Sequence, residues 1–511
     1  MGEVMVRFTR VTVAAFACLF MCTQSIAAND ELSASFDSDI EVLMDKAGIP
    51  AVSLAVIRDG RLVKTNTYGV VSTEKNKPLT KQYIFQAASL SKPVLAYITL
   101  RLVDRGHLSL DTPLHTILSS DRFANQDYAK ALTARLILSH QPGLPNWGDT
   151  PLEFQAKPGA GFQYSGEGYV YLQQVLSHIT GLTLEQLAQK EVFKPLGMTK
   201  SHFLVPEDSG SRIANPHDNA GRALSVGKPF SNAASSLHTE AGDYARFILA
   251  VMEGKGLSES SHKLMMKEQV KVPVRRTDDN TDVPLSETIG WALGWGTLKQ
   301  PEKELAWHWG DNGTYRAFVT INMVSKDAFV YFANTSLGHT IADDIFALAG
   351  EDISEITHWL EMKSYDSPGF QAWRQGVAAE ANGDYQDAVA FYKQSVKETD
   401  GKDEGLKRLV DWYDAYLELM LKPNFSVDKK YASSYVGQYG PRKVWLENGQ
   451  LHYQRGEGRK YRLISAPDHH FLLEGLVGFS FQFKLEGDSI AQGITGHYSD
   501  GRTDFTARGD E

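Results

Sequence analysis

A serine and a lysine three residues apart on a helix share one face, where the amine can take or relay the hydroxyl proton. In this 511-residue chain the Ser-x-x-Lys spacing begins at Ser72, Ser89, Ser225, Ser260 and Ser426. Ser72 and Ser225 lie among polar residues flanked by Gly or Pro, and Ser260 and Ser426 border charged stretches. Only Ser89-Leu90-Ser91-Lys92 follows an apolar run, Ile84-Phe85-Gln86-Ala87-Ala88, and leads into another, Pro93 to Leu100, apolar enough for a buried helix. Proline is tolerated near a helix start, so Pro93 places Ser89 in or just before the first turn. Free amides and the positive dipole end favour an oxyanion there. Ser91 is a rival nucleophile whose neighbour spacing turns it away from Lys92, and the plain alternative for the whole motif is a helix cap beside a solvated lysine.

Two other segments carry chemistry-bearing side chains. Pro158-Gly159-Ala160-Gly161-Phe162-Gln163-Tyr164-Ser165-Gly166-Glu167-Gly168-Tyr169 reads as a loop presenting Tyr164 just before a helix, and His308-Trp309-Gly310-Asp311-Asn312-Gly313 reads as the end of a strand. Competing chemistries find no footing. The 15 histidines form no His-Glu-x-x-His, and the adjacent His469-His470 falls in a C-terminal β region, so no metal is expected. Neither Gly-x-Ser-x-Gly nor a Gly-x-x-x-x-Gly-Lys phosphate loop occurs, and no cofactor is expected.

The elements that must position these residues follow from pattern. Ala51 to Ile57 and Arg61 to Tyr68, joined at Asp59-Gly60, predict a β-hairpin. Pro93 to Asp104, Leu108 to Leu118 and Tyr169 to Ile179 predict helices. Leu305 to Trp309, Tyr315 to Met323 and Ala328 to Ala333 predict three more strands, so N- and C-terminal strands should share one sheet of an α+β domain over about 29–355. Gly376, Gly383-Asp384-Tyr385, Ala388 and Tyr392 are spaced as in one tetratricopeptide-like hairpin of a helical segment, 365–425, with a further helical piece from Leu406 to Met420. About three repeats make a binding solenoid, so a connecting unit is expected. Aromatic-rich alternation from Tyr435, broken at Asn448-Gly449, Gly456-Glu457-Gly458, Glu486-Gly487-Asp488 and Asp500-Gly501, predicts a small all-β domain over 428–511.

Order and flanks together resemble the serine β-lactamase and penicillin-binding protein superfamily, on the branch with class C β-lactamases, DD-carboxypeptidases, D-aminopeptidases and esterases. The resemblance covers about residues 40 to 350. Leu138-Ser139-His140-Gln141-Pro142-Gly143-Leu144, Pro195-Leu196-Gly197-Met198 and Ala241-Gly242-Asp243-Tyr244-Ala245-Arg246-Phe247 add to it. It implies an α/β (α+β) fold, an antiparallel sheet flanked by helices. It further implies Ser89 as the acylated nucleophile, Lys92 as its proton partner and Tyr164 as base or proton shuttle. The amides of Ser89 and Asp311 would form the oxyanion hole, with His308 and Gly310 lining the substrate.

Two departures bear on the substrate. Tyr164-Ser165-Gly166 stands where the family commonly has Tyr-x-Asn, so a side-chain amide that holds a substrate carbonyl is missing. His308-Trp309-Gly310 replaces Lys-Thr-Gly, losing a permanent cation and a small hydroxyl suited to a substrate carboxylate, and Arg316 is the nearby cation that could compensate. The expectation is an esterase- or amidase-like hydrolase of a small molecule or peptide. The alternatives are a penicillin-recognising or cell-wall-binding protein with little turnover, an acyltransferase, or a β-lactamase.

Composition sets the outer bounds. With 42% hydrophobic and 22% charged residues the chain is an ordinary globular protein, and its net charge of −10 argues against a nucleic-acid partner. Arg7 and Arg10, the apolar run Val11 to Met21 and the small residues Ser25 to Ala28 read as a signal peptide over 1–28. The expectation is export to the periplasm or exterior, without membrane insertion. The two cysteines, Cys18 and Cys22, lie inside that segment, and Met21 before Cys22 argues against a lipid anchor.

Overall fold

The computed structural model describes residues 32–206, 212–275, 283–485 and 490–509. The signal-peptide segment 1–28 and the Glu486-Gly487-Asp488 turn lie outside the described residues. β1 (Ala51–Arg58) and β2 (Arg61–Gly69) form the predicted hairpin, turning at Asp59 and Gly60 with positive φ at both. β3 (Phe85–Ala88) pairs with β4 (Leu237–Thr239) in a two-stranded sheet of its own. β5 (Val270–Pro273), β6 (Leu285–Trp291), β7 (Gly296–Gln300), β8 (Lys303–Asp311), β9 (Arg316–Asn322) and β10 (Ala328–Ala333) complete the main sheet. Its order is β2-β1-β10-β9-β8-β7-β6-β5, and every pairing is antiparallel. The N-terminal and C-terminal strands therefore share one sheet, as the pattern predicts, with β1 paired to β10.

Each face of this sheet has its own core. On one, the helices Ser91–Asp104, Gly166–Thr180 and Ala241–Glu253 pack as a continuous apolar cluster with Leu95, Ile98, Leu172 and Phe247 buried. On the other, Phe36, Ile40 and Met44 of the helix Phe36–Ala47 meet Phe346 and Ile356 around Trp291, Trp307 and Phe329. One prediction is corrected: Leu108–Leu118 is not a helix but an irregular run with a single 3-10 turn, Leu114–Thr116. Pro113 supplies no amide donor and biases Thr112 away from helical backbone, which outweighs the apolar spacing.

Beyond the sheet, the helices Phe370–Asn382 and Tyr385–Glu398 form a hairpin, followed by the helix Glu404–Leu421. Eight antiparallel strands from Gly437–Tyr439 to Thr503–Ala507 then run in sequence order. The first and last are brought together by Gly509 N donating to Gln438 O at 2.8 Å, and the Arg442–Asp504 ion pair ties the second strand to the last. No helix among the described residues is long and apolar enough to cross a membrane.

Candidate active site

β3 ends at Ala88, whose φ of 49° turns the chain sharply before Ser89 and the helix Ser91–Asp104. Lys92 lies one turn on and is fully buried. Its Nζ is 3.0 Å from Ser89 Oγ and donates to Ala234 O at 2.9 Å, while the Tyr164 ring centroid lies 4.8 Å away. Among the described residues no carboxylate pairs with this amine, and burial brings its pKa down to about 7. A neutral amine keeps a lone pair, so Lys92 can accept the Ser89 proton near neutral pH. Ser91 does not compete: its buried hydroxyl donates to Ala88 O at 2.6 Å and accepts from Leu237 N at 3.0 Å, tying β3 to β4.

Tyr164 precedes the helix Gly166–Thr180, whose N-cap Ser165 accepts from Gly168 N. Its ring is sandwiched between His140, 4.1 Å away between centroids, and Trp309, at 4.9 Å. His140 also holds the backbone on both sides of the tyrosine: its carbonyl accepts from Gln163 N at 2.6 Å and its Nδ1 from Ser165 N at 3.0 Å. Sequence reasoning assigned no role to His140, because a lone histidine inside Leu138–Leu144 carries no spacing signal. Trp309 packs among Trp291, Trp307 and Trp359 behind Tyr164 instead of standing out into the site.

His308 is fully buried, and its ring centroid lies 6.3 Å from that of Tyr164. A carbonyl only accepts, so the 2.7 Å contact with Trp309 O makes His308 Nδ1 the protonated nitrogen. Its Nε2 is then an acceptor, buried and with no hydrogen-bond partner among the described residues. Burial and the charge of Lys92 push the imidazole pKa down to about 3. This position therefore offers a lone pair and no positive charge. Gly310 is required by close approach: a Cβ there would sit 2.5 Å from Ala87 O and 3.3 Å from Ala88 Cβ, so β8 lies directly on the strand that leads into Ser89. Asp311 is held by Arg316, which also donates to the carbonyls of Gly313 and Tyr315. Arg316 closes the β8–β9 turn through its Nη1, which pairs with Asp311 and caps the two carbonyls.

Gly166 explains the missing amide in physical terms. A Cβ at this position would fall 2.8 Å from Asn146 O and 2.8 Å from the edge of the Trp147 indole, so the loop before the helix fills the space a side chain would need. Asn146 Oδ1 accepts from Gly166 N at 3.0 Å and pins that loop. Beyond β3 and the β8–β9 turn, a cavity of about 230 Å³ is lined by Gln86, Leu224, Val226, Phe230, His238 and Thr314.

Residues 36–351 match the model of the family described as Beta-lactamase. The chain is 22% identical over 347 residues to penicillin-binding protein 4 of Amycolatopsis lactamdurans, covering 62% of this chain and 90% of that protein. It is 30% identical over 226 residues to the esterase EstB of Burkholderia gladioli, covering 38% of this chain and 55% of the esterase. In fold it is similar to the octameric penicillin-binding protein homologue of Pyrococcus abyssi, with a TM-score of 0.50 at 18% identity over 92% of this chain and 99% of the homologue.

Proposed function

The chain belongs to the β-lactamase family, whose serine hydrolase chemistry it shares, and from that premise we propose an exported hydrolase that cleaves uncharged esters or amides through a Ser89 acyl-enzyme. Neutral Lys92 takes the proton of Ser89 as Oγ attacks the substrate carbonyl carbon. The oxyanion forms against the amides of Ser89 and Asp311, and Tyr164 relays a proton to the departing alkoxide or amine as its bond to carbon breaks. Water then attacks the acyl-enzyme by the same route in reverse and releases the acid.

The observation that supports the choice of substrate is the lack of a cation at position 308, whose imidazole is buried and neutral. His308 presents an acceptor, and Arg316 is engaged by Asp311. A substrate carboxylate would not find the family's lysine at position 308, and at 316 it would meet a guanidinium already paired with Asp311. The basic start and apolar run of residues 7–21 support export.

The test is p-nitrophenyl butyrate hydrolysis by the purified protein beside Ser89→Ala. The expected result is a rate that falls by about 10³-fold or more, since removing the nucleophile leaves only residual binding and oxyanion effects. A rate that survives the substitution overturns the assignment. The absent side chain at Gly166 favours one second reading, a penicillin-recognising protein with little turnover. A Ser89 penicilloyl adduct persisting for hours in intact mass spectra, without steady-state ester turnover, is its signature.

A further inference from the structure

We propose that His339 is a positioning residue for the oxyanion hole, acting through the far end of the peptide unit that supplies its second amide. This rests on the assignment of the Asp311 N–H as an oxyanion donor. That N–H and the Gly310 carbonyl belong to the same planar unit, and in a trans peptide they point in opposite directions. Whatever fixes the carbonyl therefore aims the amide. His339 Nε2 is 3.1 Å from Gly310 O. The carbonyl can only accept, so Nε2 carries the proton and donates it.

The imidazole is set for that task from the other side. His339 lies in the 3-10 turn Ser336–Ile341 directly after β10, its ring edge-on to Phe318 at 6.1 Å between centroids. With Nε2 protonated in a neutral ring, Nδ1 carries the lone pair, and Tyr331 Oη, which donates to Gly338 O at 3.0 Å, stands 3.3 Å from it. Burial and the neighbouring Arg316 charge drive the pKa down to about 3, so the ring is neutral wherever the enzyme is folded and working. β9 joins Gly310 to the sheet through its partner Ala317, which fixes the strand. The imidazole adds a second, directional hold on one peptide within that strand. A hydrogen bond to the carbonyl also polarises the unit and strengthens its N–H as a donor. His339 touches neither Ser89 nor the substrate in this scheme. It is absent from the motifs because its signal is three-dimensional: nothing in Thr335-Ser336-Leu337-Gly338-His339 announces a partner at residue 310.

Removing an oxyanion donor outright costs about 10²–10³ in kcat, and misaiming one should cost about tenfold or more. The test compares His339→Leu, His339→Asn and His339→Gln with the intact protein on a p-nitrophenyl ester and its thiono analogue, once Ser89-dependent turnover has been measured. His339→Leu should lower kcat about tenfold or more with KM within about twofold. It should also shrink the preference for the oxygen ester, because sulfur gains less from a well-aimed amide. His339→Gln, which keeps an N–H at similar reach, should recover most of the rate, and the shorter Asn should not. If the leucine variant fails to fold, the glutamine and asparagine pair decides. Equal kcat and an unchanged oxygen-to-sulfur ratio in Asn, Gln and intact protein overturn the proposal while leaving Ser89 in place. Intact protein without Ser89-dependent turnover overturns the reading of the site itself.

Discussion

Lys92 is the residue on which reactivity and stability oppose each other. Its buried amine has no carboxylate partner among the described residues and a pKa of about 7, whereas in the unfolded chain it titrates near its ordinary value of 10.5. Acylation should therefore rise with pH through about 7 and level off above it, since the neutral amine is the base. The stability linkage has a definite sign. Between about 7 and 10.5 the unfolded state binds more protons than the folded one, so this lysine's contribution to folding stability improves as pH rises across that window, and its penalty is full below it. Lys92→Met should abolish turnover by about 10³-fold or more, as loss of a triad-like base does. Its melting temperature should compare best with the intact protein at pH 6, the advantage shrinking toward pH 10. Thermal melts of both proteins across that range check this, and a difference that does not vary with pH would contradict it. Ser89 and Lys92 were legible because helical spacing places them on one face. His308 was legible in position but not in state: that it is neutral, with its acceptor nitrogen unsatisfied, depends on a contact with the next carbonyl and on burial that no string of letters carries.

At the scale of elements, strands and helices with strong patterns were legible and those defined by their partners were not. The hairpin at Asp59-Gly60 and the run Ala328–Ala333 follow from turn chemistry and unbroken apolar sequence. β5, β6 and β7 escaped notice because they mix exposed and buried positions and are set by pairing with neighbours, as in the irregular register of Lys271 and Pro273. The Leu108–Leu118 run shows the converse, where periodicity suggested a helix and a single proline prevented one. The loop 142–148 and the start of the Gly166–Thr180 helix form one further unit whose consequence is testable. Gly166→Asn would restore the family's Tyr-x-Asn string but drive its Cβ against the Asn146 carbonyl and the Trp147 indole. Steric overpacking of this kind costs about 1–3 kcal/mol. The variant should melt several degrees lower and gain no penicillin hydrolysis, and Trp147→Ala beside it should recover only part of the loss because the backbone contact remains. A stable Gly166→Asn protein with new β-lactam turnover would show that the loop yields.

At the scale of the molecule, the contacts of the C-terminal strands among the described residues are with the helices. Ile464 and Leu472 join the cluster of Val410, Trp412 and Tyr413, and Ser465 N donates to Asn424 O at 2.7 Å. The helical hairpin in turn meets the sheet domain where Arg374 donates to Lys46 O at 2.6 Å and Phe370 enters the second core. A chain ended near residue 424 should therefore keep its ester kcat/KM within about twofold, as expected for a change remote from the reacting groups, while the uncovered Trp412 face binds a hydrophobic dye. A shifted substrate range in that truncation would mean that the strands reach the site from another copy. The placement of β1 between β2 and β10 has a different consequence, one of time. Val52 finds its partner Ala333 about 280 residues later, a long-range pairing of the sort that slows folding. During synthesis the Ser89–Lys92 helix exists long before β10 can lock the sheet against β1. The nascent chain therefore carries its nucleophile without the framework that aims an oxyanion, and it should acquire reactivity toward an acylating probe in a single late step rather than by degrees.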